Sequence, residues 1–138
     1  MILLSYANLM RVYSHAQATG SDECCGALLG IMSDIREVKR VVALRNMAKK
    51  NPQWNYMVLS DELLQLEKEA MVEGLDVVGF YHSHPYGTPV PSSVDLQMAW
   101  PGYSYFIVGR DPGALFTAKS WVLQLDGQGF KEQELVVI

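Results

Sequence analysis

The fold of this chain is decided by residues 75–85, which read LDVVGFYHSHP. The apolar run over 75–81 is typical of a buried strand, and it ends in a His-Ser-His-Pro sequence. Alternate residues of a strand point to the same side of a sheet, so His82 and His84 are expected to face one point while Ser83 faces away. The proline that follows ends the strand, because it has no backbone N–H to donate. This stretch therefore predicts two imidazoles side by side at the end of a buried strand.

Outward from this strand, the sequence predicts three helices and several more strands. Apolar residues at helical spacing indicate a helix over 7–18, a second helix after an N-cap at Ser60, and a short third helix over about 92–99. Short apolar runs between turn signals predict the other strands at 26–31, 38–44, 56–59, 103–108, 116–125 and 130–137. The first two are expected to form a hairpin, and Asp126-Gly127 is expected to supply the turn before the last. The predicted fold class is α/β or α+β, with a mixed β-sheet core flanked by helices.

Length and composition favour one globular domain over residues 1–138. Apolar residues make up 49% of the chain and charged residues 19%, as in ordinary globular proteins. The net charge of −4 gives no electrostatic support for a nucleic-acid partner. No apolar run approaches the roughly 20 residues that span a bilayer, so no membrane partner is expected.

Cys24 and Cys25 are adjacent, and the chain has no other cysteine. They form neither a Cys-x-x-Cys pair nor a disulfide framework, which favours a reducing compartment. We interpret both as small core residues. The first ten residues lack a basic leader and a small-residue cleavage site, so no signal peptide is expected. The expected location is the cytoplasm.

Asp95 adds a carboxylate to the two histidines. It falls in the first turn of the third predicted helix, and a loop of this length can fold it back over the end of the strand. Two imidazoles and one carboxylate are ligands suited to zinc, and three protein ligands leave a fourth position open, as in catalytic sites. His82, His84 and Asp95 are therefore candidate ligands of one catalytic zinc ion.

Hydrolysis at such a site also needs a base and an oxyanion donor. The base must be a carboxylate that does not bind the metal, so that it can take a proton from water and deliver it to a leaving amine. Glu23 is the candidate, because it stands immediately before an apolar strand at an edge of the core. Ser92 is the candidate hydrogen-bond donor to the oxyanion of a tetrahedral intermediate. Together these residues predict cleavage of an amide bond.

Each of these residues also has a purely structural interpretation. Ser92-Ser93-Val94-Asp95 fits a capping box at the start of a helix. A His-x-His pair at a strand end is more often incidental than metal-binding, and an isolated Glu23 is more often a surface carboxylate. The occurrence of every part of one mechanism in one short chain favours the functional interpretation.

The combination resembles the signature of the JAMM (MPN-plus) metalloprotease family. That signature reads here as Glu23, then His82-Ser83-His84, seven residues, Ser92, two residues and Asp95. The resemblance extends over nearly the whole chain: residues 23–30 (ECCGALLG) are similar to the family's first sheet strand, and residues 78–82 (VGFYH) to its metal strand. Three further segments match elements of the family in order along the chain. Arg45-Asn46 and Pro52 fall in its loop, Tyr56 falls in its short strand, and residues 60–63 (SDEL) fall in its second helix.

The resemblance implies a sheet flanked by helices of the cytidine-deaminase-like architecture, with one zinc ion. It implies that His82, His84 and Asp95 bind the zinc, that Glu23 is the acid/base, and that Ser92 is the oxyanion donor. Family members cleave peptide or isopeptide bonds after the C-terminal Gly-Gly of ubiquitin or ubiquitin-like proteins, and prokaryotic members act on sulfur-carrier or protein-modifier homologues. The expected partner is therefore a ubiquitin-like or sulfur-carrier protein with a Gly-Gly tail.

The chain departs from eukaryotic members of that family in size. Residues 46–56 and 86–91 stand where those relatives carry long insertions, and both segments are short. This favours a minimal, prokaryotic-type enzyme. We expect the Gly-Gly tail to add as a strand beside residues 56–59, in which case Val58→Pro should raise KM. The sequence leaves open the preference for peptide or isopeptide bonds and the oligomeric state, for which Trp54 and Trp100 are interface or core candidates.

Other functions remain as alternatives. A mononuclear iron enzyme can use the same ligands, but it gives no role to Glu23 or Ser92. A non-catalytic interaction scaffold related to the family has no need of five intact functional residues. A nucleotide deaminase needs His-x-Glu with Pro-Cys-x-x-Cys, and neither occurs. RadC-type proteins share the His-x-His-Pro and Ser-x-x-Asp segments, but the sequence shows no counterpart of their N-terminal helical region.

Overall fold

The computed structural model describes residues 1–48, 60–113 and 115–138. In these ranges three helices are interspersed with eight strands. The helices are α1 (Tyr6–Thr19), α2 (Ser60–Val72) and α3 (Ser93–Met98). The strands are β1 (Ile2–Leu4), β2 (Cys25–Ile31), β3 (Arg36–Leu44), β4 (Asp76–Ser83), β5 (Ser104–Arg110), β6 (Phe116–Leu123), β7 (Phe130–Gln133) and β8 (Leu135–Val137).

The strands form one mixed sheet in the order β7-β6-β5-β4-β2-β3-β1-β8. The central strand β4 is antiparallel to β2 and parallel to β5. Parallel neighbours cannot be joined by a tight turn, so the chain that leaves the end of β4 makes a longer crossover before it enters β5. That crossover contains α3. The predicted class, a mixed sheet with helices, is confirmed.

The helices α1 and α2 cover opposite faces of the sheet. One apolar cluster joins α1 to Leu28 and Tyr81, and a second joins α2 to Ala27 and Leu29. Because alternate residues of a strand face opposite sides, the two clusters lie on different faces. His82 follows Tyr81 in β4, so its side chain lies on the face that α2 covers.

Most of the predicted elements are confirmed, with shifted ends. The first helix begins earlier than predicted because Ser5 caps it, its side chain accepting a hydrogen bond from Asn8 N at 3.1 Å. The hairpin of β2 and β3 forms as predicted. The structure has α2 beginning at Ser60 itself, and Gly74 follows the helix with a φ of 72°, which glycine adopts without strain. Strand β4 extends two residues beyond the predicted apolar run over 75–81 and ends at Ser83, so it includes His82.

The prediction of one last strand over 130–137 is wrong. This segment forms two strands, β7 and β8, which pair with β6 and β1 at opposite ends of the strand order. Only Glu134 separates them, and one residue spans at most about 3.6 Å, so the two ends of the sheet meet and the sheet is strongly curled. Glu134 O accepts a hydrogen bond from Ile2 N at 2.8 Å at this change of partner. Strand β1 was not predicted, because its three residues are too few to show a hydrophobic period.

Some predictions fall outside the described residues. The whole strand predicted over 56–59, Trp54 and most of the loop predicted over 46–55 lie outside the described residues. Within the described ranges, none of the helices has the length and apolar character required to cross a bilayer.

Candidate metal centre

The pairing of β2 with β4 brings Glu23 next to His82. Cys25 lies opposite His82 in the register of the two strands. One step further, Ser83 N donates to Cys24 O at 3.1 Å, and the Ser83 hydroxyl accepts from Cys24 N at 2.8 Å, so this side chain points away from the histidines as predicted. Glu23 Oε1 lies 4.0 Å from His82 Nε2, and the Glu23 side chain is only 2% exposed. Glu23 is therefore a buried carboxylate at the end of β4, not a surface residue.

The two histidines converge as the strand geometry predicts. Their Nε2 atoms are 3.2 Å apart. His84 Nδ1 lies 2.9 Å from the carbonyl oxygen of Thr88. Because a carbonyl only accepts hydrogen bonds, the neutral His84 ring carries its proton on Nδ1 and leaves the lone pair of Nε2 directed at the centre. This tautomer can bind a metal ion through Nε2.

Asp95 completes the group and caps α3 at the same time. Its Oδ1 lies 3.0 Å from His82 Nε2, and its Oδ2 lies 3.1 Å from His84 Nε2. The same Oδ2 accepts a hydrogen bond from Ser92 N at 2.8 Å, and Asp95 N donates to Ser92 Oγ at 3.1 Å. The capping box and the convergence on the histidines are therefore both present, and the helix cap orients the carboxylate toward the centre.

The chemistry of this group fits a zinc ion. One ligand atom from each of Glu23, His82, His84 and Asp95 lies within 4.8 Å of the others. Four ligands arranged in a tetrahedron about 2.1 Å from an ion are themselves about 3.4 Å apart, close to the spacing between the histidine and aspartate atoms. Two imidazole nitrogens and a carboxylate are the borderline-soft donors that zinc prefers.

Burial and mutual charge shift the pKa values of all four groups. Burial raises the pKa of Glu23 to about 8, with Asp95 adding to the rise and His84 opposing it. Burial also lowers the pKa of His82. Burial acts to lower the pKa of His84, but its contacts with Asp95 and Thr88 outweigh this and leave it raised. Burial likewise opposes ionisation of Asp95, but its contacts with His82 and His84 outweigh this and hold its pKa well below the usual range.

These opposite shifts give the two carboxylates different acidities. Asp95 is stabilised as an anion, which is the form that binds a cation. Glu23 holds its proton more tightly than an exposed glutamate does, because burial raises its pKa. Pairs of titratable groups pushed in opposite directions are typical of catalytic sites.

A cleft of about 330 Å³ opens beside the group. Glu23 and His84 form its floor, and its walls include Pro85, Tyr86, Gly87, Thr88, Val90 and Ser92. Ser92 is exposed and borders this cleft. Its oxygen accepts from Asp95 N, so the hydroxyl proton is free to be donated to a group in the cleft. All five residues singled out in the sequence analysis thus meet at one place.

The sequence analysis missed two contacts that hold the centre in place. Asn46 Nδ2 donates to the backbone oxygen of Glu23 at 3.0 Å and so fixes the chain that carries this carboxylate. Thr88 acts through its carbonyl, and a backbone group has no residue-type signal in a sequence. Cys24 and Cys25 are buried, as predicted, and burial raises the pKa of their thiols to about 11 and about 12, so both are inert at neutral pH.

Comparison with known proteins supports the family resemblance that the sequence signature indicates. The profile of the family described as prokaryotic homologs of the JAB domain matches residues 7–124. A desampylase of Haloferax volcanii is 37% identical over 131 residues, which is 91% of this chain and 88% of that protein. A probable TtuB-protein conjugate cleaving protease of Thermus thermophilus is 36% identical over 83 residues, 60% of this chain and 55% of that protein. The solution structure of a Desulfitobacterium hafniense protein is 31% identical, covers 100% of this chain and 93% of its own, and superposes with a TM-score of 0.86.

Proposed function

This chain belongs to the family of prokaryotic homologs of the JAB domain, and from that premise we propose that it is a zinc-dependent isopeptidase. Its substrate is the amide bond after the C-terminal Gly-Gly of a ubiquitin-like modifier or sulfur-carrier protein. Residues 1–138 act as one catalytic domain, in which His82, His84 and Asp95 bind the zinc ion. Glu23 transfers the proton, and Ser92 stabilises the oxyanion.

The observation that carries the proposal is the buried meeting of two imidazoles and two carboxylates within 4.8 Å at the floor of an open cleft. Burying so many ionisable groups together costs stability unless they are paired or hold a cation. The names of the relatives, a desampylase and a TtuB-protein conjugate cleaving protease, support a ubiquitin-like partner. The membership in the JAB family is what the resemblance to JAMM proteins predicts.

When bound, the zinc ion supplies a Lewis acid that polarises the scissile carbonyl and makes a water molecule acidic. Asp95 and the two histidines would hold it, because the Nε2 atom of each histidine lies 3.0–3.1 Å from an oxygen of Asp95. Two backbone groups hold these side chains on the side away from the centre. The Thr88 carbonyl accepts a hydrogen bond from His84 Nδ1, and Ser92 N donates one to Asp95 Oδ2. Such outer contacts keep ligand orientation and charge fixed through turnover.

Glu23 moves the proton. Its Oε1 lies 4.0 Å from His82 Nε2, close enough to reach a water molecule or a leaving amine in the same site. Burial raises the pKa of Glu23 to about 8, and a bound dication would favour its ionised form, in which it could act as a base. The carboxylate would accept a proton from a water molecule at Oε1 as the water oxygen bonds to the carbonyl carbon, and would pass it to the amine nitrogen as the C–N bond breaks.

Ser92 and the cleft select the substrate. The Ser92 hydroxyl faces the cleft and can donate to the oxygen of a tetrahedral intermediate. The walls contributed by Pro85, Gly87 and Val90 bring backbone and small apolar groups to the entrance. Two C-terminal glycines form an extended tail without side chains, and such a tail can approach the backbone that lines this cleft.

The proposal is tested with two measurements on the purified chain. Mass spectrometry should find about one zinc per chain, and none in a His82→Ala/His84→Ala variant. A Gly-Gly-tailed ubiquitin-like protein joined through an isopeptide bond to a lysine peptide should be cleaved, and cleavage should stop on chelation and return with zinc. The matched conjugate with Ala-Ala in place of Gly-Gly should resist.

Three results would reject the proposal. Iron in place of zinc would favour the mononuclear iron enzyme. No metal, even after zinc is added to the folded protein, would favour the scaffold. Equal cleavage of both conjugates would show that the tail is not what the cleft selects.

A further inference from the structure

We propose that Tyr105 and Trp121 form a positioning platform that sets the metal-binding geometry of Asp95 and the oxyanion geometry of Ser92. This inference rests on the proposed function, but it concerns two residues that lie outside the cleft. They are cross-strand partners, Tyr105 on β5 and Trp121 on β6. Side chains directly opposite each other on neighbouring strands share one face of the sheet.

Both platform residues hold the crossover between β4 and β5 by hydrogen bonds to its backbone. Trp121 Nε1 donates to Pro89 O at 2.9 Å. Tyr105 Oη accepts from Trp100 N at 2.7 Å. The two attachment points enclose residues 89–100, and this segment contains both Ser92 and Asp95. One platform residue therefore holds the chain before the functional pair and the other holds it after.

This segment depends on such attachments because it has little hydrophobic anchoring. None of the apolar side chains of α3 is fully buried. Leu96, Met98 and Trp100 are all exposed. An ordinary surface helix is held by an apolar face, which contributes most of its stability. In α3 the capping box orders the helix itself, and the platform fixes where the helix lies relative to the sheet.

The same sheet surface also supports the loop that holds His84. Arg110 N donates to Gly87 O at 2.8 Å. A Cβ atom on Gly109 would lie 2.5 Å from Pro89 N and 2.6 Å from Gly87 O, so only glycine lets this loop approach β5 so closely. The platform thus continues a surface that already positions one metal ligand, and it extends that surface to the other side of the cleft.

The consequence is measurable at the metal. A ligand shell works only when its members stay within about 0.5 Å of the productive geometry. Removal of a contact that orients a ligand reduces metal affinity or activity about 10–100-fold. Tyr105 and Trp121 do not line the cleft, and their hydrogen bonds go to Trp100 and Pro89, so a loss of metal affinity of this size from either residue would indicate positioning.

The test uses Tyr105→Phe and Trp121→Phe, each of which removes one polar group and keeps a ring. Tyr103→Phe is the matched control for the first, since Tyr103 is an adjacent aromatic residue that packs on Phe80. Trp100→Phe is the control for the second, because the Trp100 side chain is 70% exposed and holds the platform only through its backbone. Zinc affinity is measured by competition with a chromogenic chelator, the cobalt-substituted proteins are examined by visible absorption, and the Tm is measured in excess chelator.

We expect each platform variant to bind zinc about 10–100-fold more weakly than the wild type and to change the cobalt spectrum. The Tm of the metal-free platform variants should stay within a few degrees of the wild type, and both controls should match the wild type throughout. Wild-type zinc affinity and cobalt spectrum in both platform variants would overturn the inference. The inference would also be overturned if the platform variants lost zinc affinity only together with a large fall in the Tm of the metal-free protein, because that pattern indicates a general structural role. If the wild type itself binds no metal, the proposed function fails first, which keeps the two failures apart.

Discussion

Replacing Glu23 by glutamine should change how the stability of the metal-free protein depends on pH. Glu23 is 2% exposed, and its pKa is raised from 4.5 to about 8, chiefly by burial. The folded state therefore keeps a proton on this carboxyl over a pH range in which the unfolded chain has lost it. Glutamine has nearly the same shape but no proton to lose, so it removes this dependence and little else.

The sign and size of the effect follow from proton linkage. Because the folded state binds the proton more tightly, the stabilisation is fully present below pH 4.5 and is lost as the pH rises to about 8. Each tenfold change in proton affinity corresponds to about 1.4 kcal/mol, so the whole change is about 3–5 kcal/mol. The free energy of unfolding of Glu23→Gln should accordingly rise relative to the wild type by that amount between pH 5 and pH 9.

Urea unfolding in excess chelator, followed by tryptophan fluorescence at several pH values, measures this difference. Glu67→Gln, at an exposed glutamate of α2, is the matched control and should leave the pH dependence of the wild type unchanged. A constant difference between Glu23→Gln and the wild type across the whole range would refute the reasoning, since it would mean that Glu23 ionises as freely in the folded protein as in the unfolded chain. With zinc present, the same variant should retain about one metal ion and lose turnover by a factor of about 10²–10⁴.

Three further substitutions test two residues of the crossover and one residue of β5 that the crossover packs against. Asp95→Asn should keep much of the helix cap and lower the free energy of unfolding by less than about 1 kcal/mol. The zinc content measured by mass spectrometry should fall sharply, and a zinc content equal to that of the wild type would show that Asp95 is not a ligand. Ser92→Ala removes the cap and should lower the free energy of unfolding by about 0.5–2 kcal/mol; it should also lower kcat about 10²–10³-fold while zinc is retained. Ser93→Ala, the control, should change neither stability nor kcat. An unchanged kcat in Ser92→Ala would show that Ser92 serves only as a cap. Gly109→Ala brings a Cβ to 2.5 Å from Pro89 N and should cost about 1–3 kcal/mol in urea unfolding; an unchanged midpoint would show that the loop is not held so closely.

The pattern of strands and helices was largely readable from the sequence, because local periodicity follows from which residues face the core. The strand over 75–81, the hairpin around Ser33-Asp34 and the helix that ends before Gly74 all carry signals within a few neighbouring residues. The division of 130–137 into two strands carries no such signal. Each half alternates as part of one strand does, and the change of partner at Glu134 depends on β1, which lies more than a hundred residues away.

The candidate site shows the same division between local and distant information. The spacing of His82 and His84 placed both imidazoles on one face, because strand geometry alone requires it. The sequence could name Glu23 and Asp95 as candidates but not bring them to the histidines. The register of β2 with β4 buries Glu23, and the crossover to β5 returns Asp95.

By itself, then, the sequence determined the types of the functional groups, the spacing of the two histidines, and the cap that joins Ser92 to Asp95. These depend on residues near one another in the chain. Only in the folded protein does burial raise the pKa of Glu23 while the contacts of Asp95 with the two histidines lower its own, and only there do the Thr88 carbonyl and the Asn46 amide meet the groups that they hold. The physical reason is that burial, backbone hydrogen bonds and contacts between distant strands exist only after the chain has folded.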